Sequence, residues 1–456
     1  MKVLVQRLLT CSLLTLAVLG VLAGCQASSP TQSAAPQDGQ TITFWHSFIQ
    51  DSRLAAIDRA VERFEADHPG VTVVTECMTW PEFKQRWRAG LETGDLPDIS
   101  TTCNLSETAE LMHAGLLQPV DSIIDALGRD RFSPNVLSDA THEGAIYGIP
   151  YYSHAYVLWY RTNLLNKTGV AVPTTWEEFA QAAQALTDSS IDAYGYAIPM
   201  NPDDYVATLN LHMYVFSGGG SLLNDDLTAN LTSDLALEGI RYWTDLYRAC
   251  SPQDSTEDTT IDQADMFYNG TTAFDFNSGF HIEGVQTTRP DLLDTISCAP
   301  LPKMNADDDD YSAVVTHIPL VLYKNAQDPE LCAEFLEFLF EEDVYIDFLD
   351  SVPVGMLPTI TGISDTERYQ SNEIRQRFAD EEAIIQNAVL TGHAMGFEHG
   401  PNLQAGLLTS SGVIERMFLD IVENNVPVEE AAQAAEDELN ELFETVKGQG
   451  EDRLAA

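Results

Sequence analysis

Three spacings of apolar residues follow one another at the start of this chain. Leu8–Leu22 is mostly apolar without a period, Gln26–Gln40 has no large apolar side chain, and Thr41–Phe44 alternates polar with apolar. Alternation among strand-forming residues predicts a short buried strand, ending on Trp45, His46 and Ser47. Leu54, Ile57, Val61 and Phe64 then recur at helical spacing through Ser52–His68. Asp51 or Ser52 can cap that helix, and Pro69-Gly70 stops it. Val71–Thr75 reads as a strand. Pro81 opens a second helix, with Phe83, Trp87 and Leu91 four apart and a stop near Gly94. Leu96–Ser100 is strand-like again and enters a polar loop, Thr101–Asn104. Strand, helix, strand, helix, strand predicts a parallel, doubly wound α/β sheet.

Later segments continue the mixture. Val157–Tyr160, Tyr194–Pro199 and Thr271–Phe276 read as strands; Ala236–Ala249 and Leu331–Phe340 read as helices. Thr175 caps a helix opening at Trp176. Val352–Pro358 predicts a rigid loop, and Val426–Lys447 a helix with Ala432, Ala435, Leu439 and Phe443 on one face. The run Gly218–Gly220 lacks the Lys-Ser/Thr of a phosphate loop and reads as a turn.

The first 40 residues change the picture of location. Lys2 and Arg7 precede the apolar run, which has the length and flanks of an export signal. It ends in Leu22-Ala23-Gly24-Cys25, which resembles the lipobox of bacterial lipoproteins. That resemblance makes residues 1–24 a signal peptide, Cys25 an acylated amino terminus, and residues 25–40 a flexible tether outside the cytoplasm.

Charge removes one class of partner. The 70 acids against 23 Lys and Arg, net −47, argue against nucleic-acid binding. A dispersed acidic surface resembles that of proteins adapted to high salt. The acidic loop Asp307–Asp310 lacks the ligand spacing of a calcium hand and reads as solvated. Beyond Cys11 and Cys25, the odd set Cys77, Cys103, Cys250, Cys298 and Cys332 leaves at least one thiol unpaired, and buried free thiols are the expectation. No zinc spacing, nucleophile elbow, Walker loop or dinucleotide fingerprint occurs, so no cofactor or metal is expected.

In order and spacing, several short runs resemble the extracellular solute-binding proteins of ABC importers, the large carbohydrate type. They are Ile42–Phe48, Phe64–Val71, Leu96–Ile99, Tyr147–Pro150, Trp159–Asn163, Thr175–Phe179 and the terminal Pro427–Phe443 helix. The resemblance implies a monomer of two α/β lobes, each a mixed or parallel sheet flanked by helices, with several crossings and a ligand cleft between. Lobe one is then 41–150 with 271–323, and lobe two 151–270 with 324–456. It implies capture of a sugar by hinge closure and delivery to a permease with its ATPase, not catalysis.

Cleft residues are expected on loops after strands. They are Trp45, His46, Trp80, Asn104, Tyr151, Tyr152, His154, Asn201, Asp203, Tyr205, Phe276, Asn277, Ser278, Met356, Glu398 and His399. Tyr151 and Tyr152 point to opposite faces of a strand, so one of them belongs to the core. Aromatic faces suit sugar rings, while carboxylates and amides suit hydroxyls. The Phe-Trp-His-Ser stretch is also similar to binders of glycerol 3-phosphate and phosphodiesters. Those place Arg in the region matching Met395–Gln404, where this chain has none, which favours a neutral sugar. Polyamine capture and a secreted carbohydrate-active enzyme are the readings from other classes.

Overall fold

The computed structural model describes residues 40–102, 105–308, 314–398 and 400–454. The expected signal peptide, Cys11, Cys25, Cys103, Asn104 and His399 lie outside the described residues. Strand β1 (Gln40–His46) starts at Gln40, so the expected tether is one residue too long; Gln40 pairs with Val71. Helix α1 (Asp51–Asp67) buries Ala56, Ile57, Ala60 and Phe64. Gly70, at φ +100°, then turns the chain into β2 (Val71–Cys77). A capping box of Thr79 and Glu82 starts α2 (Trp80–Thr93), and Gly94 in the left-handed region ends it. β3 (Ile99–Thr101) closes the unit, and β2 and β3 both run parallel to β1.

The remaining strands are β4 (Thr141–His142), β5 (Ala145–Ile146), β6 (Ile149–Ala155), β7 (Val157–Arg161), β8 (Phe274–Asn277), β9 (Ile296–Ala299), β10 (Val315–Leu322) and β11 (Leu357–Pro358). A larger sheet has the order β11-β6-β10-β3-β1-β2; a smaller one has β8-β7-β9. Thus the parallel half predicted from periodicity is extended by the antiparallel strands β10, β6 and β11.

Strand partners differ from the expected division. β8 and β9 pair with β7 in the smaller sheet, so most of 271–323 does not join the first sheet. β6 and β11 belong to the larger sheet, as do the helices Pro329–Phe338 and Glu342–Leu349. The rings of Phe335 and Phe348 pack there against Phe44, Phe48 and Phe64. Local periodicity marks a strand but does not choose its neighbour. Tyr194–Pro199 is not a regular strand; Tyr194 makes one bridge to Thr272. A Cβ on Gly195 would lie 2.1 Å from the Ala183 carbonyl oxygen, so the segment is pressed against the preceding helix.

Only Tyr156 separates β6 from β7, and there the chain passes from one sheet to the other. Its N–H donates to the Val314 carbonyl at 2.9 Å, so outgoing and returning passages are bonded together. Beyond the smaller sheet, Leu439 and Phe443 of the last helix, Val428–Leu454, pack with Trp243, Leu211 and Phe418. Among the described residues no helix is long and apolar enough to cross a membrane, and no cluster of His, Cys, Asp or Glu could hold a metal.

Candidate ligand-binding cavity

A cavity of about 440 Å³ opens beside the Tyr156 crossing. Its walls come from the first turn of α1, from β6 and β10, and from the segments around Leu209, Phe280 and Met395. Arg53 sits in this wall, 4% exposed. Its Nε donates to Gln50 Oε1 at 2.6 Å, its Nη2 donates to the same oxygen, and its Nη1 donates to the Tyr152 hydroxyl at 3.3 Å. The guanidinium lies 5.6 Å from each of the Phe48 and Phe280 ring centres. Its bonded partners are therefore neutral, and no carboxylate among the described residues reaches it. Gln50 is the N-cap of α1 and makes no side-chain capping bond, because Arg53 holds its oxygen. The expected caps Asp51 and Ser52 are inside the helix instead.

The imidazoles nearby are neutral. Burial, with the Arg53 charge second, lowers His46 and His154 to about 4. His46 Nδ1 accepts from the Phe48 N–H at 3.3 Å and its ring stacks on Phe48. His154 lines the cavity with its Nδ1 buried and without a hydrogen-bond partner. Deeper in the sheet, His317 is lowered to about 3 by burial and bonds Ser153 Oγ at 2.6 Å; Asp139 lies 3.9 Å from its other nitrogen. These are the residue types of a hydrolase triad, yet Ser153 is 0% exposed and has no access to substrate.

Of the expected site residues, Tyr152, His154 and Tyr205 are brought together around this cavity. The others go elsewhere. Trp45 is core, with the Arg86 guanidinium 4.8 Å over its ring. His46 is fully buried behind Phe48. Tyr151 faces the opposite side of β6 and stacks on Phe348 in the core. Phe276 packs among Trp176, Phe179 and Tyr196, and Met356 is 0% exposed. Asn201 builds a turn, accepting from the Asp203 N–H and donating to the Glu257 carbonyl, while Asp203 is exposed. Asn277 accepts from the Ser278 N–H, and Ser278 is buried. Trp80 opens α2 at its first turn, as a helix start rather than on a loop. Glu398 accepts from Ser221 Oγ at 3.3 Å, 3.6 Å from His212 Nε2, beside a separate, open and acidic depression that includes Asp225 and Asp226.

Arg53 and Phe280, with Tyr156, Thr316 and Thr409, are lining residues that sequence reasoning missed. In a helical wheel Arg53 reads as one more polar position. The available signal was a basic residue in a first helical turn, where the dipole favours an acid, in a chain with few bases.

Known proteins place this architecture. The chain is 22% identical over 448 residues to an Escherichia coli (strain K12) protein assigned as an ABC transporter periplasmic-binding protein, covering 97% of this chain and 98% of that one. It is 30% identical over 218 residues to a Streptomyces antibioticus lipoprotein, covering 46% of each. A solved solute-binding protein of an ABC transporter from Thermotoga lettingae, bound with α-D-tagatose, superposes with a TM-score of 0.73 at 22% identity, over 89% of this chain and 100% of that one. The fold is therefore the two-lobed periplasmic-binding-protein fold. The model of the bacterial extracellular solute-binding protein family matches residues 50–346, and the chain belongs to that family of ABC-transporter binding proteins, which are not enzymes.

Proposed function

We propose that this protein captures a carbohydrate in the cavity beside Tyr156 and delivers it to an ABC permease, held at the membrane by a lipid on Cys25. The cavity carries the reading. Tyr152, Tyr156, Tyr205 and Phe280 supply ring surface, and His154, Thr316 and Thr409 supply polar atoms, around a volume that suits a sugar of one or two rings. Tyr156 stands where the passages between the sheets are bonded, so a ligand touching both sides favours a closed arrangement that a permease reads. The Streptomyces relative is a lipoprotein and the Thermotoga neighbour holds a sugar, which agrees with both halves of the proposal. No described lining residue is acidic, which disfavours polyamines.

Thermal-shift screening of the purified chain against mono- and oligosaccharides, glycerol 3-phosphate and spermidine tests this. A sugar or sugar derivative is expected to raise the midpoint without being consumed. Stabilisation by spermidine alone would overturn the reading, and turnover of the sugar would make the protein an enzyme.

A further inference from the structure

The chain and its cavity differ in charge. Acids outnumber bases 70 to 23 overall, yet none of the described residues lining the cavity is Asp or Glu. Its one charged described lining group is Arg53. That guanidinium is 4% exposed and bonded to an amide oxygen and a phenol. Glu283 feels its charge but forms no ion pair with it, and Asp51 is exposed. A buried cation with neutral partners is costly, and an anion delivered from solution offsets that cost.

Two further features aim at the same place. α1 lacks a side-chain cap at its N-terminus, where N–H groups and the helix dipole favour negative charge. Its N-cap Gln50 and its third residue Arg53 both line the cavity. His154 also lines the cavity, and burial keeps its imidazole neutral, so it does not compete for the anion. Carboxylates, the usual acceptors for the hydroxyls of neutral sugars, are missing from the described wall. The Met395–Gln404 segment has no Arg, but a guanidinium reaches the cavity from the first turn of α1 instead.

We propose that Arg53 receives the carboxylate or phosphate of an acidic carbohydrate, so that the solute is a negatively charged sugar derivative rather than a neutral sugar. This rests on the carbohydrate reading of the cavity.

Calorimetry and thermal shift on the native protein, at matched ionic strength, compare glucuronate with glucose and galacturonate with galactose. Glucose 6-phosphate, glycerol 3-phosphate and succinate complete the panel; the uronates and phosphates separate the two sources of anion. At least one acid is expected to bind ten times or more tighter than its neutral parent. Arg53→Gln should weaken it by about 30-fold, with Arg53→Lys between the two. The acid–neutral comparison needs no variant, so misfolding of Arg53→Gln would not blunt it. Equal binding of acid and parent, unchanged in Arg53→Gln, would overturn the role of Arg53 and leave a neutral-sugar protein. Arg53-dependent binding of succinate with no sugar acid bound would overturn the carbohydrate reading itself. Binding by no anion in the panel would overturn the proposal.

Discussion

Arg53 donates from Nη1 to the Tyr152 hydroxyl across 3.3 Å, which ties the first turn of α1 to β6 inside the larger sheet. Removing that oxygen leaves a buried N–H of a charged group without an acceptor. Tyr152→Phe is expected to lower stability by about 1–2 kcal/mol. It should weaken ligand binding as well, because the guanidinium loses one of its two supports. Urea unfolding reads the first effect and calorimetry the second. An unchanged urea midpoint would show that the bond contributes nothing to the fold.

Gly279, just after β8 of the smaller sheet, meets Val354, just before β11 of the larger one. A Cβ at Gly279 would stand 2.3 Å from the Val354 carbonyl oxygen. Val354 itself has φ +68°, a conformation that a β-branched residue resists. Backbone that is already strained has no easy way to retreat. Gly279→Ala should therefore cost about 1–3 kcal/mol, more than helix propensity could return at this helix start. A thermal midpoint equal to that of the parent would mean that the loop yields freely.

These two contacts show where the sequence could be read and where it could not. α1, α2 and the parallel order of β1, β2 and β3 follow from spacing, because each buries one face defined by period. The partners of β8 and β9 were not legible, since any half-buried strand fits any sheet until the long connections are placed. Tyr151 and Tyr152 illustrate the same limit within a strand. Alternation says that they diverge, yet both are buried against Phe348, and it is Tyr152 that also meets Arg53 and the cavity. Arg53 was hidden because burial of a polar helical position depends on what packs above it, here Phe48 and Phe280.

Burial raises Asp139 to about 7 from 3.8. A folded pKa above the unfolded one means that the native state holds the proton longer. Between pH 4 and 7 the unfolded chain then binds fewer protons, and this group's contribution to stability falls as pH rises. Asp139→Asn removes that loss. The variant should exceed the parent by about 2–4 kcal/mol at pH 8, with the advantage vanishing near pH 4. His46, His154 and His317 work in the opposite sense. Lowered from 6.5 to about 4, 4 and 3, they contribute stability above pH 6.5 that is lost as pH falls through those values. Urea midpoints from pH 4 to 8 check both slopes; a gap between Asp139→Asn and parent that is the same at every pH would refute the assignment.

Cys77 is exposed, whereas Cys250, Cys298 and Cys332 are buried free thiols. The expectation of buried thiols thus fails at the last residue of β2. Burial pushes Cys250 and Cys332 up to about 12, so neither offers thiolate at neutral pH. A maleimide should label Cys77 in the native protein within minutes and reach the three buried thiols only in denaturant. Peptide mapping that finds Cys250 or Cys332 labelled at the same rate would contradict the packing around them.

The excess of acid makes a prediction about salt. Many of the ion pairs, such as Arg129 with Asp121 and Asp125, Arg368 with Asp343, and Arg416 with Glu438, sit on the surface. Such exposed pairs contribute little to stability, so screening them costs little. Against that stands the mutual repulsion of 70 acids set among 23 bases. Raising ionic strength from about 0.1 to 1 M shortens the screening length from about 10 to 3 Å, which weakens repulsion between neighbours on the same face. Repulsion involves more pairs than attraction does, so the thermal midpoint should climb by several degrees over that range. Choline chloride should act much like sodium chloride, because screening depends on ionic strength and not on the cation. A flat or falling midpoint would show that the acids are spaced widely enough not to oppose folding, and would remove the case for adaptation to salt.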